Sequence, residues 1–234
     1  MVNRPTPTVL VPGLLCSPRL FAQQIPALWR QGPVQVADHT RAESIQAIAA
    51  SILANAPLQF NLVGLSMGGY IAFEILRQAP ERVLKLALLD TSARPDTPEQ
   101  SERRNALIEV AREGNLVEIN DRLWPILVHS SRQMNKALRI VIDAMATETG
   151  AEAFIRQQTA IIGRPDSRPD LPGIKSSTLV VVGDEDQLTP HPLSQEIADE
   201  IPGARLEVLA NCGHISTLER PEAVTRLLVE FFAG

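Results

Sequence analysis

The stretch FNLVGLSMGGYIAFEIL, residues 60–76, changes its hydrophobic pattern halfway along its length. Residues 60–63 form a short apolar run typical of a buried strand, whereas residues 70–76 carry apolar side chains at helical spacing. The sequence GLSMG, residues 64–68, must join the two within a few residues. The stretch therefore predicts a strand, a sharp turn with a serine between glycines, and a helix.

The rest of the chain repeats this alternation of strands and helices. Short apolar runs rich in Val and Leu lie at residues 8–12, 34–38, 60–64, 83–90, 178–183 and 205–210. Helical patterns lie between them, at residues 18–30, 41–54, 67–79, 190–200 and 221–232. Continuous apolar strands separated by helices predict an α/β fold, with an open parallel sheet of about six strands and helices on both faces. Ser17-Pro18 and Thr189-Pro190 each place a capping residue before a proline at a helix start.

The alternation of strands and helices is interrupted between the fourth and fifth predicted strands. Residues 92–172 contain no convincing strand but several helical patterns. This connection of roughly 80 residues far exceeds the dozen or more that a parallel crossover needs. Proline-rich stretches bound it near residues 95–98 and 165–172. We therefore expect a helical cap at residues 92–172, inserted between a first core part at 1–91 and a second at 173–234.

Composition limits the functions that the chain can have. Its 234 residues suit one substantial domain, and its 44% hydrophobic and 21% charged residues are ordinary for a globular protein. The longest apolar run is too short to cross a bilayer, and the first residues make a poor signal peptide. The net charge of -5 offers no basic excess for nucleic acid or an anionic membrane. We expect a cytoplasmic protein with small-molecule partners, of open oligomeric state.

Ser66 is the first candidate functional residue, because it lies in a G-x-S-x-G turn between a strand and a helix. Such a turn holds the serine in a strained conformation with its hydroxyl exposed. The first N–H groups of the helix that begins at Met67, and the positive end of its dipole, suit an oxyanion. The alternative, a phosphate-binding loop, is disfavoured because the chain has neither G-x-G-x-x-G nor a Walker lysine.

A serine hydroxyl is a weak nucleophile without a neighbouring base, so this hypothesis requires a histidine. His129 lies in the insertion, where we expect a surface or pocket-lining group, and His191 opens a helix. His39 and His214 both follow strands, and ligands of open α/β sheets gather at the carboxyl ends of strands. Serine hydrolases of this architecture have the nucleophile first in the chain, then the acid, then the histidine. Of these two histidines, only His214 satisfies that order.

The third group must accept a hydrogen bond from the other imidazole nitrogen. Asp184, Glu185 and Asp186 follow the fifth predicted strand, and Asp90 follows the fourth. Residue types alone leave these four carboxylates open. The chain's two cysteines, Cys16 and Cys212, form neither a disulfide framework nor a metal-ligand spacing.

Four segments together resemble the α/β-hydrolase superfamily, in its group of small esterases and lactonases with a helical cap. These segments are VPGLL at residues 11–15, GLSMGG at 64–69, GDEDQLTP at 183–190 and CGHISTLERPEAV at 212–224. In that family the acid follows a strand glycine in G-x-x-D spacing, with a proline shortly after. Gly183 and Pro190 match this pattern, so the resemblance assigns the acid to Asp186, with Asp90 as the main rival.

The resemblance also implies an oxyanion hole and a substrate pocket. Its two N–H donors would be those of Met67 and Leu14, although this chain reads Pro12-Gly13 where relatives usually have His-Gly. Most relatives begin with an antiparallel hairpin, for which this chain has no room, so we expect six parallel strands with the second outside the first. Residues expected to line the pocket are Leu15, Cys16, Leu20, Leu123, Trp124, Ile126, Leu127, Met134, Met145 and Phe154. Cys16 and Cys212 lie in the two catalytic loops and are both expected near the site.

The function implied is that of a serine hydrolase that cleaves small lipophilic carboxylic esters through an acyl-enzyme. Ser66, Asp186 and His214 would form its triad, and the mechanism needs no metal or organic cofactor. An alternative is specialised acyl chemistry on the same triad, namely enol-lactone hydrolysis, thioester or acyl-carrier ester cleavage, acyl transfer or perhydrolysis. A third alternative is a ligand receptor without catalysis.

Overall fold

The computed structural model describes residues 5–234, and it contains one sheet of six strands. The strands are β1 Thr8–Val11, β2 Val34–Val36, β3 Phe60–Leu65, β4 Val83–Leu89, β5 Ser177–Gly183 and β6 Arg205–Leu209. They lie in the order β2-β1-β3-β4-β5-β6, and every neighbouring pair is parallel. The predicted α/β class, the six parallel strands and the outer position of the second strand are confirmed.

Helices cover both faces of the sheet, so the four central strands are largely buried, whereas the edge strands β2 and β6 are partly exposed. The helices are α1 Ile25–Trp29, α2 Ile45–Asn55, α3 Met67–Gln78, α4 Pro98–Arg112, α5 Leu116–Leu127, α6 Lys136–Thr149, α7 Ala151–Ile162, α8 His191–Glu200, α9 Ser216–Glu219 and α10 Pro221–Ala233. In β3, Leu62 packs with α2 and α3 on one face, and Val63 packs with α1 and α10 on the other. Successive side chains of a strand point to opposite faces, which explains the unbroken apolar run.

The helices α4 to α7 fill the region that the sequence marks as an insertion. A third apolar cluster, containing Ala111, Ile119 and Phe154, joins them to Leu15 in the loop after β1. This contact brings the insertion over the carboxyl ends of the strands. The boundaries at 92 and 172 stay a prediction. Within residues 5–234, no helix is both long and apolar enough to cross a membrane.

Two local predictions are wrong, and one short helix was not predicted. The helix expected at 18–30 is divided into a 3-10 turn, Pro18–Phe21, and α1, although the Ser17 hydroxyl does accept the N–H of Arg19 at 3.4 Å. Thr189 does not cap α8, which begins at His191, because the Thr189 hydroxyl donates to Asp186 instead. The unpredicted helix is α9, which lies after the last strand and has only four residues, too few for a helical pattern.

Candidate active site

Ser66 occupies a strained position between β3 and α3. Its φ of 54° and ψ of -115° lie outside the regions that residues other than glycine usually adopt. The Ser66 N–H donates to the Leu89 carbonyl at 2.9 Å, and the Thr91 hydroxyl donates to the Ser66 carbonyl at 2.8 Å. These bonds to the end of β4 hold the turn in place, as expected when surrounding structure maintains backbone strain.

Two glycines flank the serine because the chain passes too close for a side chain. A Cβ added at Gly64 would lie 2.3 Å from the Gly68 carbonyl oxygen. One added at Gly68 would lie 2.0 Å from the Val11 carbonyl oxygen. Both distances are far below van der Waals contact, so the turn and its packing on β1 require glycine at both positions.

His214 lies between Ser66 and Asp186 and reaches both. Its Nε2 is 2.8 Å from the Ser66 Oγ, and its Nδ1 is 2.8 Å and 3.0 Å from the two carboxylate oxygens of Asp186. A carboxylate only accepts, so Nδ1 carries the proton and Nε2 is left to accept the proton of the serine hydroxyl. The structure thus brings together the three side chains that the sequence assigns to a triad.

Asp186 is held as an ionised carboxylate. Its Oδ1 accepts the N–H groups of Leu188 and Thr189, each at 2.9 Å, and its Oδ2 accepts the Thr189 hydroxyl at 2.7 Å. Burial raises the pKa of Asp186, but the neighbouring His214 and these hydrogen bonds outweigh burial and lower the pKa below its ordinary value. The carboxylate can therefore accept from His214 and favour its protonated form.

The same ion pair determines the basicity of the imidazole. Burial lowers the pKa of His214, but the adjacent Asp186 carboxylate more than offsets this effect and raises the pKa above its ordinary value. The hydroxyl of Thr189 also lies 3.3 Å from His214 Nδ1. The imidazole is therefore a stronger base than a free histidine.

Asp90, the rival acid, is buried but makes other contacts. Its carboxylate accepts the Gly183 N–H and the Ser216 N–H, each at 3.1 Å. Burial, and then the charge of Asp186, raise the pKa of Asp90 to about 8. Its hydrogen bonds join the ends of β4 and β5 to α9 and do not include His214.

The other candidate acids and histidines form contacts that do not include Ser66. Asp184 accepts the N–H groups of Asn211 and Cys212, each at 3.0 Å, while Glu185 lies 3.1 Å from His129 Nε2. His129 is buried and does not border the cavity described below, so the expectation of a surface or pocket-lining group is wrong. His39 Nε2 lies 2.9 Å from the Gly13 carbonyl oxygen.

Two N–H groups beside Ser66 donate no hydrogen bond to any residue in the range 5–234. They belong to Met67, the first residue of α3, and Leu14, in the loop after β1. A Cβ added at Gly13 would lie 3.5 Å from the Ser66 Cβ, so this loop passes directly beside the serine. These are the two donors that the sequence assigns to an oxyanion hole.

A cavity of about 400 Å³ opens above Ser66 and His214. Much of its wall is apolar. Of the residues expected to line a pocket, it includes Leu15, Cys16, Leu123, Ile126, Leu127 and Met145, and Leu14 borders it as well.

Other residues expected at the pocket lie elsewhere. Leu20 and Phe154 are buried in apolar clusters, and Met134 is 88% exposed. Trp124 packs in the core with its Nε1–H donating to the Gln133 carbonyl at 3.0 Å. These four do not border the cavity. The sequence did not separate them from the lining residues, because the spacing of apolar residues on a helix does not distinguish core from pocket wall.

The two cysteines differ in position. Cys16 borders the cavity, and burial raises the pKa of its thiol to about 12. Cys212 is fully buried outside the cavity wall, and burial raises the pKa of its thiol as well. The expectation that both approach the site holds for Cys16 alone, and neither thiol is disposed to ionise at neutral pH.

Sequence reasoning gave no role to Glu219, although the resemblance rests partly on its motif, LERPE. Its buried carboxylate accepts the Gly213 N–H at 2.9 Å and the His129 N–H at 2.8 Å. His214, which follows Gly213, donates its backbone N–H to the Leu127 carbonyl at 2.9 Å. The loop that carries the imidazole is thus joined to the end of α5. The only signal in the sequence was that this quoted motif contains an acid.

The chain is similar to proteins of known structure and to curated relatives. A thermophilic esterase from Thermogutta terrifontis is 30% identical, with a TM-score of 0.89 over 98% of this chain and 90% of that one. The enol-lactonase from Burkholderia xenovorans LB400 is 26% identical, with a TM-score of 0.88 over 99% and 93%. The pimeloyl-[acyl-carrier protein] methyl ester esterase of Neisseria meningitidis is 25% identical over 90% of this chain and 86% of its own.

A family model gives the assignment at the level of the whole chain. The model described as the alpha/beta hydrolase family matches residues 9–227, from β1 to the last helix. The match includes the serine turn, the acid loop and the histidine loop described above. Because it covers nearly all of the sequence, this chain belongs to the α/β hydrolase family.

Proposed function

We propose that the chain is a serine hydrolase that cleaves small lipophilic carboxylic esters through an acyl-enzyme. Ser66 is the nucleophile, His214 the general base and acid, and Asp186 the group that orients the imidazole. The observation that carries this proposal is the 2.8 Å separation between Ser66 Oγ and His214 Nε2, on a ring whose other nitrogen contacts Asp186. A nucleophile, its base and an orienting acid within hydrogen-bond reach are what acyl transfer requires.

Acylation uses each of these contacts in turn. The Ser66 oxygen attacks the ester carbonyl carbon while His214 Nε2 takes the hydroxyl proton, and Asp186 stabilises the imidazolium. The N–H groups of Met67 and Leu14 donate to the oxyanion of the tetrahedral intermediate. One such donor typically contributes a factor of about 10² to 10³ to the rate. The intermediate collapses as His214 gives its proton to the departing alcohol, which leaves the acyl group on Ser66.

Deacylation repeats these steps with water. His214 Nε2 takes a proton from a water molecule, the resulting hydroxide attacks the acyl carbonyl, and the same N–H groups hold the oxyanion. The carbon–oxygen bond to Ser66 then breaks, and His214 returns the proton to the serine oxygen. The carboxylic acid leaves with the enzyme regenerated.

The cap at residues 92–172 would select the substrate. We assign it as an insertion into a core formed by residues 1–91 and 173–234. Support comes from Leu123, Ile126 and Leu127 of α5, which border the same cavity as Ser66. A cavity of about 400 Å³ with a largely apolar wall fits an acyl chain of short to medium length.

A second candidate is the hydrolysis of an enol lactone on the same triad. Its support is the likeness to an enol-lactonase over 99% of this chain. The chemistry is the same, except that the leaving enol stays attached to the acyl group through the opened ring. A series of lactones offered beside open-chain esters would separate the two, since a lactonase should have the higher kcat/KM on the ring.

A panel of p-nitrophenyl esters, from acetate to laurate, tests the proposal. We expect turnover by the native chain, with a preference for the shorter members, and activity at background for Ser66→Ala. Ser51→Ala, on the exposed surface of α2, is the matched control and should retain native activity. Labelling by a fluorophosphonate, located by mass spectrometry, should occur at Ser66. A native chain inert toward every ester, or an active Ser66→Ala variant, would show that the proposal is wrong.

A further inference from the structure

Polar side chains of the cap form one part of the cavity wall. Gln100, Arg103 and Arg104 lie on α4, and Gln158 lies on α7. The three residues on α4 are separated by three and four positions, with Leu107 following at the same spacing, so they share one face of the helix. The wall therefore combines an apolar part with a polar part contributed by two neighbouring cap helices.

Arg104 is held in a fixed orientation. Its Nε lies 2.6 Å from Asp96 Oδ2, and its Nη1 donates to Gln158 Oε1 at 2.9 Å. The same Asp96 carboxylate also accepts from Arg164 Nη1 at 2.6 Å. Two guanidinium groups thus share one carboxylate, which leaves one of their positive charges uncompensated.

Arg103 adds a further charge. It is exposed, and it makes no hydrogen bond or ion pair with any residue among 5–234. Among the residues bordering the cavity within that range, there is no aspartate or glutamate. Glu99, on the same turn of α4, lies outside the wall and forms no ion pair with Arg103, although the Thr97 hydroxyl and, to a smaller extent, the charge of Arg103 lower the pKa of its carboxyl. Although the chain as a whole carries a net charge of -5, the cavity presents a local excess of positive charge.

The two glutamines add donors and no acceptors. Gln100 Oε1 accepts the Thr97 N–H at 2.9 Å, and Gln158 Oε1 accepts from Arg104, so both acceptor oxygens are engaged. The Gln158 Nε2 is buried and has no partner among the described residues. Guanidinium groups carry donors only. The complement of such a set is a group that only accepts hydrogen bonds and carries negative charge, which is a carboxylate.

We propose that Gln100, Arg103, Arg104 and Gln158 form a subsite for a carboxylate on the acyl part of the substrate. The preferred substrates are then half-esters of dicarboxylic acids, or lactones with a free carboxylate, that occupy the apolar wall with their methylene chain. This inference rests on the proposed function and narrows its substrate class.

Paired substrates of equal shape test the subsite by turnover. Monoethyl esters of succinic to suberic acid are compared with the corresponding ω-amides, in which an uncharged amide replaces the carboxylate. We expect a native kcat/KM at least about tenfold higher for the best half-ester than for its amide, as a charge-assisted pair implies. Arg103→Gln should lower this ratio by about tenfold. Arg112→Gln, an exposed arginine of α4 outside the wall, should leave the ratio within about twofold.

Binding to an inactive chain tests the subsite without turnover. Ser66→Ala should bind the preferred half-ester in calorimetry, and adding Arg103→Gln should weaken binding about tenfold. A native ratio near one, or a ratio and an affinity that Arg103→Gln does not change, overturns the subsite. If neutral esters are still cleaved in a Ser66-dependent manner, the proposed function survives that result. Conversely, Arg103-dependent binding without any ester turnover supports the subsite and contradicts the proposed function.

Discussion

The carboxylate of Glu219 accepts the backbone N–H of Gly213, the residue before His214, at 2.9 Å. Its second oxygen accepts the N–H of His129, shortly after α5, at 2.8 Å. A Cβ added at Gly213 would lie 2.6 Å from that same His129 nitrogen, so the two segments touch without a gap. Glu219 therefore fixes the position of the imidazole relative to the segment that follows α5.

Glu219→Gln should destabilise the fold and slow turnover. The amide retains one acceptor, and its NH₂ group then faces a backbone N–H, which leaves a buried donor unsatisfied. We expect a loss of about 1–3 kcal/mol in the free energy of unfolding, measured in urea, and a fall in kcat larger than any change in KM. Glu200→Gln, exposed at the end of α8, should change the free energy of unfolding by less than about 0.5 kcal/mol. Equal stability of both variants would contradict this role.

Replacing each candidate acid by its amide distinguishes Asp186 from Asp90. Asp186→Asn should lower kcat by about 10⁴, because the amide cannot hold His214 in the required tautomer. Asp90→Asn should retain most of the activity, since its carboxylate contacts the N–H groups of Gly183 and Ser216 and not the imidazole. Steady-state kinetics on a p-nitrophenyl ester measures both. The reverse order of losses would transfer the acid's role to Asp90.

The pH profile should report His214. Only the neutral imidazole can act as a base, so kcat/KM should rise with pH through the pKa of His214. Burial lowers this pKa and the Asp186 carboxylate raises it by more, so the midpoint should lie above the ordinary value of about 6.5. The residual activity of Asp186→Asn should have a lower midpoint, because the largest of the effects that raise this pKa is then removed. Native profiles with a midpoint below about 6.5 would contradict the assignment.

The raised pKa of His214 also has a consequence for stability. The folded chain binds this proton more tightly than the unfolded chain does. The resulting stabilisation is therefore complete below the pKa of the unfolded histidine and is lost as pH rises through the folded value. His214→Gln should remove this pH dependence, which urea unfolding over a pH series measures. The free energy of unfolding of the native chain, relative to that of His214→Gln, should fall over this pH range. If it does not fall, the raised pKa of His214 is contradicted.

Gly64→Ala should disrupt the serine turn. The new methyl group would lie 2.3 Å from the Gly68 carbonyl oxygen, so β3 or α3 must move. We expect a lower melting temperature and loss of esterase activity, or failure to fold. Gly173→Ala is the matched control, because nothing lies within 4 Å of its added methyl group. A Gly64→Ala variant with native stability and activity would contradict the close approach described here.

The sheet was predictable from sequence because both of its faces are covered. The central strands are therefore mostly apolar, and all six predicted runs correspond to strands, with ends that agree within two residues. The helix expected at 18–30 was not predictable in detail. It breaks near Gln24, whose buried amide donates to the Thr217 carbonyl at 3.1 Å, and this tertiary contact leaves no trace in the local pattern.

The site was predictable where its chemistry follows a motif and not where it depends on distant contacts. Motif and chain order assign Ser66 and His214, and the resemblance adds Asp186. The structure brings the three side chains within hydrogen-bond distance, and their roles stay a prediction. Thr189 was misread because a threonine before a proline suits a helix cap as well as an acid loop. The contact from Glu219 to His129 spans 90 residues, a separation that a local pattern does not encode.

Leu15 has a φ of 58°, and its N–H donates to the buried Oε1 of Gln157 on α7 at 3.0 Å. A chimaera that exchanges residues 92–172 for the matching segment of a relative also removes the Gln157 oxygen that holds the loop containing Leu14 and Leu15. The kcat should then fall even if the grafted helices fold well. Transplants that keep an amide at this point should preserve the rate while changing selectivity.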